Sequence, residues 1–409
     1  MTNGLMELDQ AVTAMLAALR PVRERETVPL EQARGRITAG VLGALQPVPP
    51  FANSAMDGYA LVHDDPALLA GDVLQVIDRA LAGHPASRHL EPDSCIRIFT
   101  GAPVPEGTDA VVAQEDVETL EGDRVRIRQP VEKGRFIRAA GADVATGDRL
   151  VEAGTRLHGG HLGLLAATGH DRVEVLQRPR VTLLTTGDEL RGPGESLAPG
   201  QIHDASRFSL PALLDALPIR TVAVETVGDD PERLEAVLTA AAARSDALIC
   251  VGGVSVGDAD RVRELLEARG AMHFWRLAVK PGKPFAFGDF DARPLFGLPG
   301  NPVSSLVTFL LLVRPALQQL AGMRPTPLPR LDARLAAPVR KAAGRRDFQR
   351  ATLSRDDDGT LLARAFERQD SNLLSGVANA DCLLDLPRDA GDQDTGARVR
   401  VIPLETLLG

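Results

Sequence analysis

From Arg180 onward, short apolar runs alternate with amphipathic stretches, and this alternation constrains the fold more than any other feature. The apolar runs predict strands over Val181 to Thr185, Arg220 to Val227, Ala247 to Val251 and Trp275 to Val279. Helices are predicted between and after them: one begins at Asp230-Pro231, one follows Asp260 and ends at Gly270, and one runs from Asn301-Pro302 to about Leu320. Strands that alternate with helices form a mainly parallel sheet covered on both faces. Residues 179–326 are therefore predicted to form a doubly wound α/β domain.

The chain on either side of this domain has other patterns. Apolar residues recur every three or four positions from Leu5 to Leu19, which predicts an amphipathic helix, and another helix is predicted near 160–167. Residues 47–131 are rich in Gly, Pro and short alternating runs, with a hairpin turn at 121–123, and predict an inserted β-rich domain. After a Pro-rich linker, residues 327–409 predict a small β-barrel or sandwich, of which we expect the barrel. Residues 1–46 and 132–178 would then form a discontinuous helical domain of a mixed α/β multidomain protein.

Charge and apolar patterning argue against several functional classes. The 409 residues carry a formal net charge of −9, and no basic run interleaves with aromatic residues, so we expect no nucleic-acid groove. The apolar run from Leu306 to Val313 is broken by Arg314 and Pro315, short of a membrane span, and Glu7 and Asp9 stand where a secretory signal would be basic. We therefore expect a cytoplasmic protein that does not cross a membrane.

The three cysteines, Cys95, Cys250 and Cys382, lie far apart. They form no C-x-x-C pair, so neither a disulfide framework nor a zinc knuckle is indicated. We expect them to be buried as small apolar residues.

Three polar segments follow predicted strands, where ligands bind in open α/β sheets. Thr186 to Leu190 places Asp188 and Glu189 at a strand end, and Gly252 to Asp260 is a glycine-rich loop that leads to a helix. The third, Lys280 to Pro284, holds two cations on a proline-stiffened backbone, with the Leu298 to Pro302 turn downstream.

Each segment also has a purely structural explanation. The acidic segment alone is better explained as a capping turn, and the Gly-Gly loop, which has neither the phosphate-loop nor the dinucleotide spacing, as tight geometry. The lysine segment is harder to explain in this way. Together the three predict a site for a phosphorylated ligand and a divalent cation, because Mg²⁺ takes carboxylate and phosphate oxygens.

The inserted domain adds two polar segments, Asn53 to Tyr59 with the only tyrosine of the chain, and Arg97 to Pro105. Asn53, Ser54 and Asp57 beside Gly58 are equally well explained as ordinary turn formers.

Six motifs together resemble the molybdopterin molybdenumtransferase family, which includes bacterial MoeA and the E domain of animal gephyrin. In order along nearly the whole chain they are Asn53 to Tyr59, Thr100 to Pro105, Thr186 to Leu190, Gly252 to Gly257, Lys280 to Pro284 and Leu298 to Pro302. The resemblance implies a four-domain protomer and a homodimer whose cleft lies between the α/β domain of one subunit and the inserted domain of the other. It also implies the reaction: adenylylated molybdopterin and molybdate give molybdenum cofactor and AMP, with the assistance of Mg²⁺.

The resemblance assigns roles to individual positions. Catalytic roles fall on Asp57, Thr100, Asp143, Glu189, Asp229 and Asp260. Substrate binding falls on Gly252, Gly253, Ser255, Asp258, Lys280, Lys283, Pro299, Asn301, Pro302, Arg350 and Ser371. The expected Mg²⁺ ligands are Asp188, Glu189 and Asp260.

Several positions depart from the family pattern. Ala142 precedes Asp143 where the family has Glu, Asp204-Ala205-Ser206 replaces Asp-Ser-Asn or Asp-Thr-Asn, Arg261 replaces a tyrosine, and Asp370 replaces a glycine. The acids and lysines of the motifs are retained.

Two other functions stay open at this point. One is molybdopterin adenylyltransferase, the preceding step, which uses a similar α/β domain; the inserted domain and the C-terminal barrel argue against it. The other is a non-catalytic scaffold of the gephyrin type, which the retained acids argue against. A molybdopterin adenylyltransferase and cofactor-accepting apoenzymes are possible partners.

Overall fold

The first part of the chain consists mainly of short strands. Our computed structural model of the protein describes residues 5–62, 70–253 and 261–408. This part contains α1 (Leu8–Ala18), β1 (Arg25–Pro29), β2 (Leu42–Gly43), β3 (Asn53–Ser54), β4 (Gly58–Leu61), β5 (Val73–Ala80), β6 (Ser94–Ile98), β7 (Ala110–Ala113), β8 (Val117–Leu120), β9 (Arg124–Ile127), β10 (Ile137–Arg138), β11 (Arg149–Val151), α2 (Gly159–Ala167) and β12 (Arg172–Leu176). Both helices lie where the apolar spacing predicted them.

The inserted region forms a sheet of its own. Its strand order is β7-β4-β6-β5-β9-β8, with β5 and β6 parallel and the other neighbours antiparallel. The β8–β9 hairpin turns at the predicted Glu121-Gly122-Asp123, where Gly122 and Asp123 have positive φ. One face buries a cluster that includes Leu61, Val112 and Ile127. The β-rich interpretation of this region is confirmed.

Residues before and after the insertion pair with each other. Strand β1 is antiparallel to β12, with Val28 opposite Val173, and β2 is antiparallel to β11. Helix α1 does not join this small unit, because its buried residues Leu8, Ala11 and Met15 pack into the core of the α/β region. The proposed domain limits stay a prediction.

The next part of the chain alternates strands and helices as predicted. It contains β13 (Arg180–Thr186), β14 (Leu190–Arg191), β15 (Ile202–His203), α3 (Ser206–Asp215), β16 (Arg220–Val227), α4 (Pro231–Arg244), β17 (Ala247–Val251), α5 (Arg261–Arg269), β18 (Gly270–Trp275), β19 (Val279–Lys280), β20 (Ala286–Phe290), β21 (Arg293–Leu298), α6 (Pro302–Thr308), a π-helical segment (Phe309–Val313) and α7 (Arg314–Leu320). Asp230 caps α4 by accepting a hydrogen bond from Arg233 N at 2.9 Å.

These strands form a sheet in the order β16-β13-β17-β21-β20-β18. The first four are parallel, whereas β20 and β18 continue the sheet in antiparallel fashion. The predicted strand Trp275 to Val279 is wrong: β18 ends at Trp275, and Val279 pairs with a C-terminal strand instead. This run is apolar because Leu277, Ala278 and Val279 are buried between the two regions.

The last helix of this region crosses the core. Residues Pro302–Leu320 are long and apolar enough to span a membrane by length and composition, but 83% of this helix's most apolar window is buried inside the protein. Phe309, Leu312 and Val313 are among its fully buried residues. A core helix is the simplest explanation of its apolarity.

The C-terminal strands close into the predicted barrel. They are β22 (Leu331–Leu335), β23 (Arg346–Arg355), β24 (Leu361–Ala365), β25 (Cys382–Leu386) and β26 (Arg398–Pro403), with the short helices α8 (Ser375–Ala378) and α9 (Glu405–Leu408). The order β23-β24-β22-β26-β25 closes because β25 pairs back onto β23. Strand β19 adds to β23, with Lys280 opposite Asp347, and so joins the lysine segment to the barrel.

The three cysteines are buried and free, as expected. Burial raises the pKa of each thiol to about 12. All three are therefore protonated at neutral pH.

Candidate functional site

The carboxyl ends of the parallel strands bring three motif loops into contact. Gly252 N, just after β17, donates to Leu298 O at the end of β21 at 3.0 Å. A Cβ added to Gly252 would lie 2.5 Å from Thr186 O at the end of β13, so only glycine fits there. Gly252 is a predicted substrate-binding residue, but its backbone N–H extends the β17–β21 pairing and is therefore not free to bind an anion.

The acidic residues lie on one side of this edge. Asp188 Oδ1 accepts a hydrogen bond from Asp229 N at 3.1 Å, and Asp229 Oδ2 accepts one from Asp188 N at 3.3 Å. Gly228 lies against this pair, since a Cβ there would come within 2.5 Å of Asp188 Oδ1. Both side chains and that of Glu189 are exposed. Two loops thus hold two carboxylates side by side, open to solvent.

A cavity of about 490 Å³ lies beside these acids, lined by residues that include Asp188, Arg191, Glu195 and Arg207. Asp204 lies at its base and is 4% exposed. Its carboxylate accepts hydrogen bonds from Thr185 Oγ1 at 2.5 Å and Arg207 N at 3.0 Å. The acid of the divergent Asp204-Ala205-Ser206 segment therefore fixes the start of α3 against β13.

The basic residues surround a second cavity of about 400 Å³. It is lined by Lys280, Pro281, Gly282, Lys283, Pro284, Pro299, Asn301, Ser304, Arg345, Gln369, Asp370 and Ser371. Lys280 Nζ donates to Asp347 Oδ2 at 3.3 Å, and the Asp347 side chain is only 5% exposed. The ammonium group of Lys283 makes no ion pair or hydrogen bond with any residue that the structure describes. The lysine segment therefore gives the cavity one internally paired cation and one available for a ligand.

A hydrogen bond joins the α/β region to the barrel across this cavity. Asn301 Nδ2 donates to Ser371 Oγ at 3.1 Å, and Val303 N donates to Ser371 O at 3.3 Å. Pro302 occupies the first turn of α6, where its missing N–H has no cost. The predicted turn and Ser371 are thus brought together.

Arg350, a predicted substrate-binding residue, is buried and bonded within the protein. It is 1% exposed, and its guanidinium donates to Gln369 Oε1 and to the carbonyl oxygens of Arg368, Asp370 and Leu373 at 3.0–3.2 Å. Burial lowers its pKa, and Asp370 only partly offsets this effect. Through these bonds, Arg350 positions the 368–373 loop that carries Ser371.

In the inserted region, Asp57 and Thr100 form a pair. Asp57 Oδ1 accepts hydrogen bonds from Thr100 N and Thr100 Oγ1, both at 2.8 Å. These bonds, together with the nearby Arg97, lower the pKa of Asp57 below its usual value despite partial desolvation. The Arg97 guanidinium lies 4.8 Å from the Tyr59 ring and 4.9 Å from the Phe99 ring and donates to Gly58 O. It therefore holds the flanks of both Asp57 and Thr100.

Asp143 follows the inserted region in the chain, next to the bridge between Val48 and Val144. Its side chain is exposed, and its backbone N–H donates to Val48 O at 3.0 Å. Neither cavity beside the strand ends is lined by Asp57, Thr100 or Asp143. Within one chain, the described residues therefore form two separate halves of the predicted site.

The remaining predicted residues, Ser255, Asp258 and Asp260, lie outside the described residues. Among the residues that are described, no group of three or more His, Cys, Asp or Glu side chains is arranged to hold a metal ion. The nearest arrangement is that of Asp188 and Asp229, whose carboxylates each accept a hydrogen bond from the other residue's backbone N–H.

Comparisons with known proteins cover nearly the whole chain. Residues 6–169 match the MoeA N-terminal region (domains I and II), 182–319 a probable molybdopterin binding domain, and 332–404 the MoeA C-terminal region (domain IV). A molybdopterin molybdenumtransferase of Haemophilus influenzae is 37% identical, covering 99% of this chain and 100% of its own length. Molybdopterin molybdenumtransferase 2 of Mycobacterium tuberculosis is 36% identical, covering 98% and 99%. The chain belongs to the molybdopterin molybdenumtransferase family.

Solved structures agree with this family assignment. Two structures of the molybdopterin biosynthesis MoeA protein from Pyrococcus horikoshii have TM-scores of 0.81 and 0.82, with 31% and 27% identity. Each covers 98% of this chain and at least 99% of its own length. The arrangement of domains in this molybdenumtransferase family member is thus shared over the full chain.

Sequence reasoning missed several residues of the site in this family member. Arg345 and Ser304 line the basic cavity, Asp347 pairs with Lys280, and Arg97 supports Asp57. The first three belong to no motif that we singled out. The run Gly344-Arg345-Arg346, two cations after a glycine at the start of a strand, was the available signal for Arg345.

Proposed function

We propose that this chain, a transferase of molybdenum cofactor biosynthesis, inserts molybdate into adenylylated molybdopterin and releases AMP. The observation that carries the proposal is the basic cavity at the carboxyl edge of the sheet, which Lys280, Lys283 and Arg345 line. The exposed carboxylates of Asp188 and Asp229 follow β13 and β16 at the same edge. Both substrates are anions. Cations that the fold holds in place bind such groups without having to rearrange during the reaction.

The chain itself needs to supply no covalent nucleophile. Lys283, Asn301 and Ser371 offer donors to oxyanions at one end of the site, and the acids lie at the other. The dithiolene sulfurs of the substrate capture molybdenum, in keeping with the family, and the buried, protonated cysteines take no part. The protein's contribution is to bind, orient and neutralise charge.

Mg²⁺ is the proposed cofactor on the acidic side. Asp188 and Asp229 fit it in part, because their adjacent exposed carboxylates are the hard oxygen donors that Mg²⁺ takes, with Glu189 next in the chain. When bound, Mg²⁺ would offset charge on the phosphoanhydride that is cleaved.

The test of the metal proposal uses Asp188→Asn and Glu189→Gln, with Glu195→Gln of the same cavity as the control. Both test variants should slow AMP release and raise the Mg²⁺ concentration for half-maximal rate, without changing Tm. The control should behave as wild type. If these carboxylates instead cap a turn, both variants should lose stability and should keep the wild-type Mg²⁺ dependence.

We also propose a homodimer with a shared site. Apolar side chains are exposed beside both halves: Phe51 (44%) and Met56 (36%) near Asp57, and Ile202 (55%) and Phe208 (59%) near the acidic loops. A second copy that covered these surfaces would bring the inserted region of one chain to the strand ends of the other. Enzymes that deliver adenylylated molybdopterin or accept the finished cofactor are the further proposed partners.

The proposed reaction is tested by incubating the full chain with adenylylated molybdopterin, Mg²⁺ and molybdate. AMP release that depends on molybdate, together with formation of active cofactor, is the expected result. Pyrophosphate release from ATP and molybdopterin would instead identify an adenylyltransferase. Absence of both reactions would favour the scaffold.

A further inference from the structure

A second basic cavity lies at the opposite end of the α/β sheet from the proposed site. It has a volume of about 690 Å³ and is lined by Val22, Glu24, Glu26, Gln32, Arg36, Gln177, Arg178, Arg180, Arg220 and Asp246. Arg180 begins β13, Arg220 begins β16, and Asp246 directly precedes β17. The cavity thus lies at the amino ends of the parallel strands.

Its walls come from two parts of the protein. Arg36 and Arg178 belong to the unit formed by β1, β2, β11 and β12, whereas Arg180 and Arg220 belong to the α/β sheet. The chain passes from one unit to the other within 176–180, directly along the cavity wall. A ligand here would contact both units at their junction.

Two of the three carboxylates of the cavity, those of Glu26 and Asp246, are already paired with arginines. Asp246 accepts hydrogen bonds from Arg180 Nη2 at 2.9 Å, Nε at 3.2 Å and backbone N at 2.8 Å. Glu26 pairs with Arg36. Glu24 accepts a hydrogen bond from Arg23 N at 3.1 Å.

Several guanidinium donors have no such partner. The side chains of Arg178 and Arg220 make no hydrogen bond or ion pair with residues in the described part of the chain. Arg36 is 7% exposed, and its Nε is a buried donor without a partner there. Burial, together with the positive charges of Arg36 and Arg156, lowers the pKa of Arg178. The negative charge of Glu26 offsets this lowering only in part. Positive charge is therefore incompletely balanced at the junction of a chain whose net charge is negative.

The lining also restricts the kind of ligand. Among the described residues that line it, none is aromatic and Val22 is the only large aliphatic one, so they provide no surface for a nucleobase or pterin ring. Guanidinium groups bind phosphate oxygens in planar, two-point fashion. We propose that this cavity binds a compact inorganic polyanion of the phosphate class, represented by pyrophosphate, that bridges Arg178 of one unit and Arg220 of the other.

Calorimetric titration of the full chain tests the proposal. Pyrophosphate, phosphate and AMP are titrated at low ionic strength without Mg²⁺, in a Lys280→Ala/Lys283→Ala background that weakens oxyanion binding at the other basic cavity. Saturable binding of one pyrophosphate per chain is expected, with at least about tenfold weaker binding in Arg178→Gln and in Arg220→Gln, since each removes a charge-assisted contact. Arg178→Lys should be intermediate because it keeps charge but loses two-point geometry.

Arg364→Gln is the matched control, since this exposed arginine on the barrel lines neither basic cavity. It should bind pyrophosphate like its parent, and circular dichroism should show that all variants are folded. Pyrophosphate should also raise Tm more in the parent than in Arg178→Gln or Arg220→Gln at the same concentration. The proposal would be overturned if pyrophosphate showed no saturable binding, if Arg178→Gln and Arg220→Gln bound it as tightly as the parent, or if AMP bound more tightly than pyrophosphate. None of these outcomes depends on molybdenum insertion.

Discussion

Lys280 and Lys283 occupy equivalent places in one motif, yet their surroundings differ. Lys280 pairs with Asp347, whose carboxylate also accepts a hydrogen bond from Gln349 Nε2 at 3.1 Å. Lys283→Ala should therefore weaken molybdate binding by about 1–3 kcal/mol with little change in stability. Lys280→Ala should weaken binding and also lower the free energy of unfolding by roughly 1–3 kcal/mol, because a buried carboxylate loses its cation. Titration calorimetry and denaturant unfolding measure the two effects separately.

Adding Asp347→Asn to Lys280→Ala provides the control. It removes the unpaired charge, so stability should recover while molybdate binding stays weak. Equal stability losses in Lys280→Ala and Lys283→Ala would contradict the asymmetry.

Thr100 lowers the pKa of the Asp57 carboxyl group. Its hydroxyl and backbone N–H both donate to the carboxylate, which favours the ionised form and lowers the pKa. Thr100→Val removes the hydroxyl donor only, so the pKa of Asp57 should rise toward the ordinary value of 3.8. A lowered pKa stabilises the fold above the unfolded-state pKa, and this contribution is lost as pH falls through the folded-state value. In the variant this contribution should be smaller, and its loss should be complete at a higher pH.

The Asp57 carboxyl signal, followed by carbon NMR between about pH 2 and 6, measures this shift. Thr108→Val is the matched control, because Thr108 Oγ1 donates to Pro105 O in the same region and does not touch Asp57. An unchanged Asp57 titration in Thr100→Val would show that the Thr100 hydroxyl does not contribute to the lowered pKa.

At the scale of elements, the lysine segment depends on its contact with the core helix. Gly282 has a φ of +113°, and a Cβ there would lie 2.4 Å from Thr308 Cγ2 of α6. Gly282→Ala should cost about 1–3 kcal/mol of stability through backbone strain and crowding, and it should weaken molybdate binding by displacing the lysines. Thr308→Ser removes the crowding methyl group but not the backbone strain. The double variant, tested by thermal unfolding, should therefore recover only part of the loss; full recovery would show that φ is not limiting.

Periodicity and caps predicted most elements of the α/β region, because buried parallel strands are continuous apolar runs and helix ends carry their own signals. The β20–β21 hairpin was missed. Its turn residues, Asp291 and Ala292, have φ of +47° and +59°, where an Asn-Gly pair would have been the recognisable signal. The false strand at Trp275 to Val279 has the opposite cause: burial between two regions makes a connecting segment as apolar as a strand.

At the scale of the whole molecule, local motifs predicted which loops meet but not how their donors are used. Strand order places the motif loops along one edge, and this followed from the parallel pattern. That Arg350 is committed to backbone carbonyls, and Gly252 N–H to the sheet, depends on contacts between residues distant in sequence. Periodicity and spacing report only neighbours along the chain, so such contacts leave no signal in them.

The assembly decides whether the two halves of the site meet, and subunit mixing tests it. Asp57→Ala removes a group from the inserted half, and Glu189→Ala removes one from the strand-end half. In a shared-site dimer each variant alone is inactive, but a mixed dimer has one site with both wild-type residues. Random exchange should therefore restore about a quarter of wild-type AMP release, since half of the dimers are mixed and half of their sites are intact.

The matched control mixes Asp57→Ala with Thr100→Ala. Both residues lie in the inserted half, so every site of every mixed dimer contains one altered residue and no activity should return. Mass spectrometry of isotope-labelled subunits would verify exchange in both mixtures. A site completed within one chain predicts no recovery in either mixture, because each chain would keep its own defect. Recovery in the first mixture alone therefore distinguishes a shared site from two independent ones.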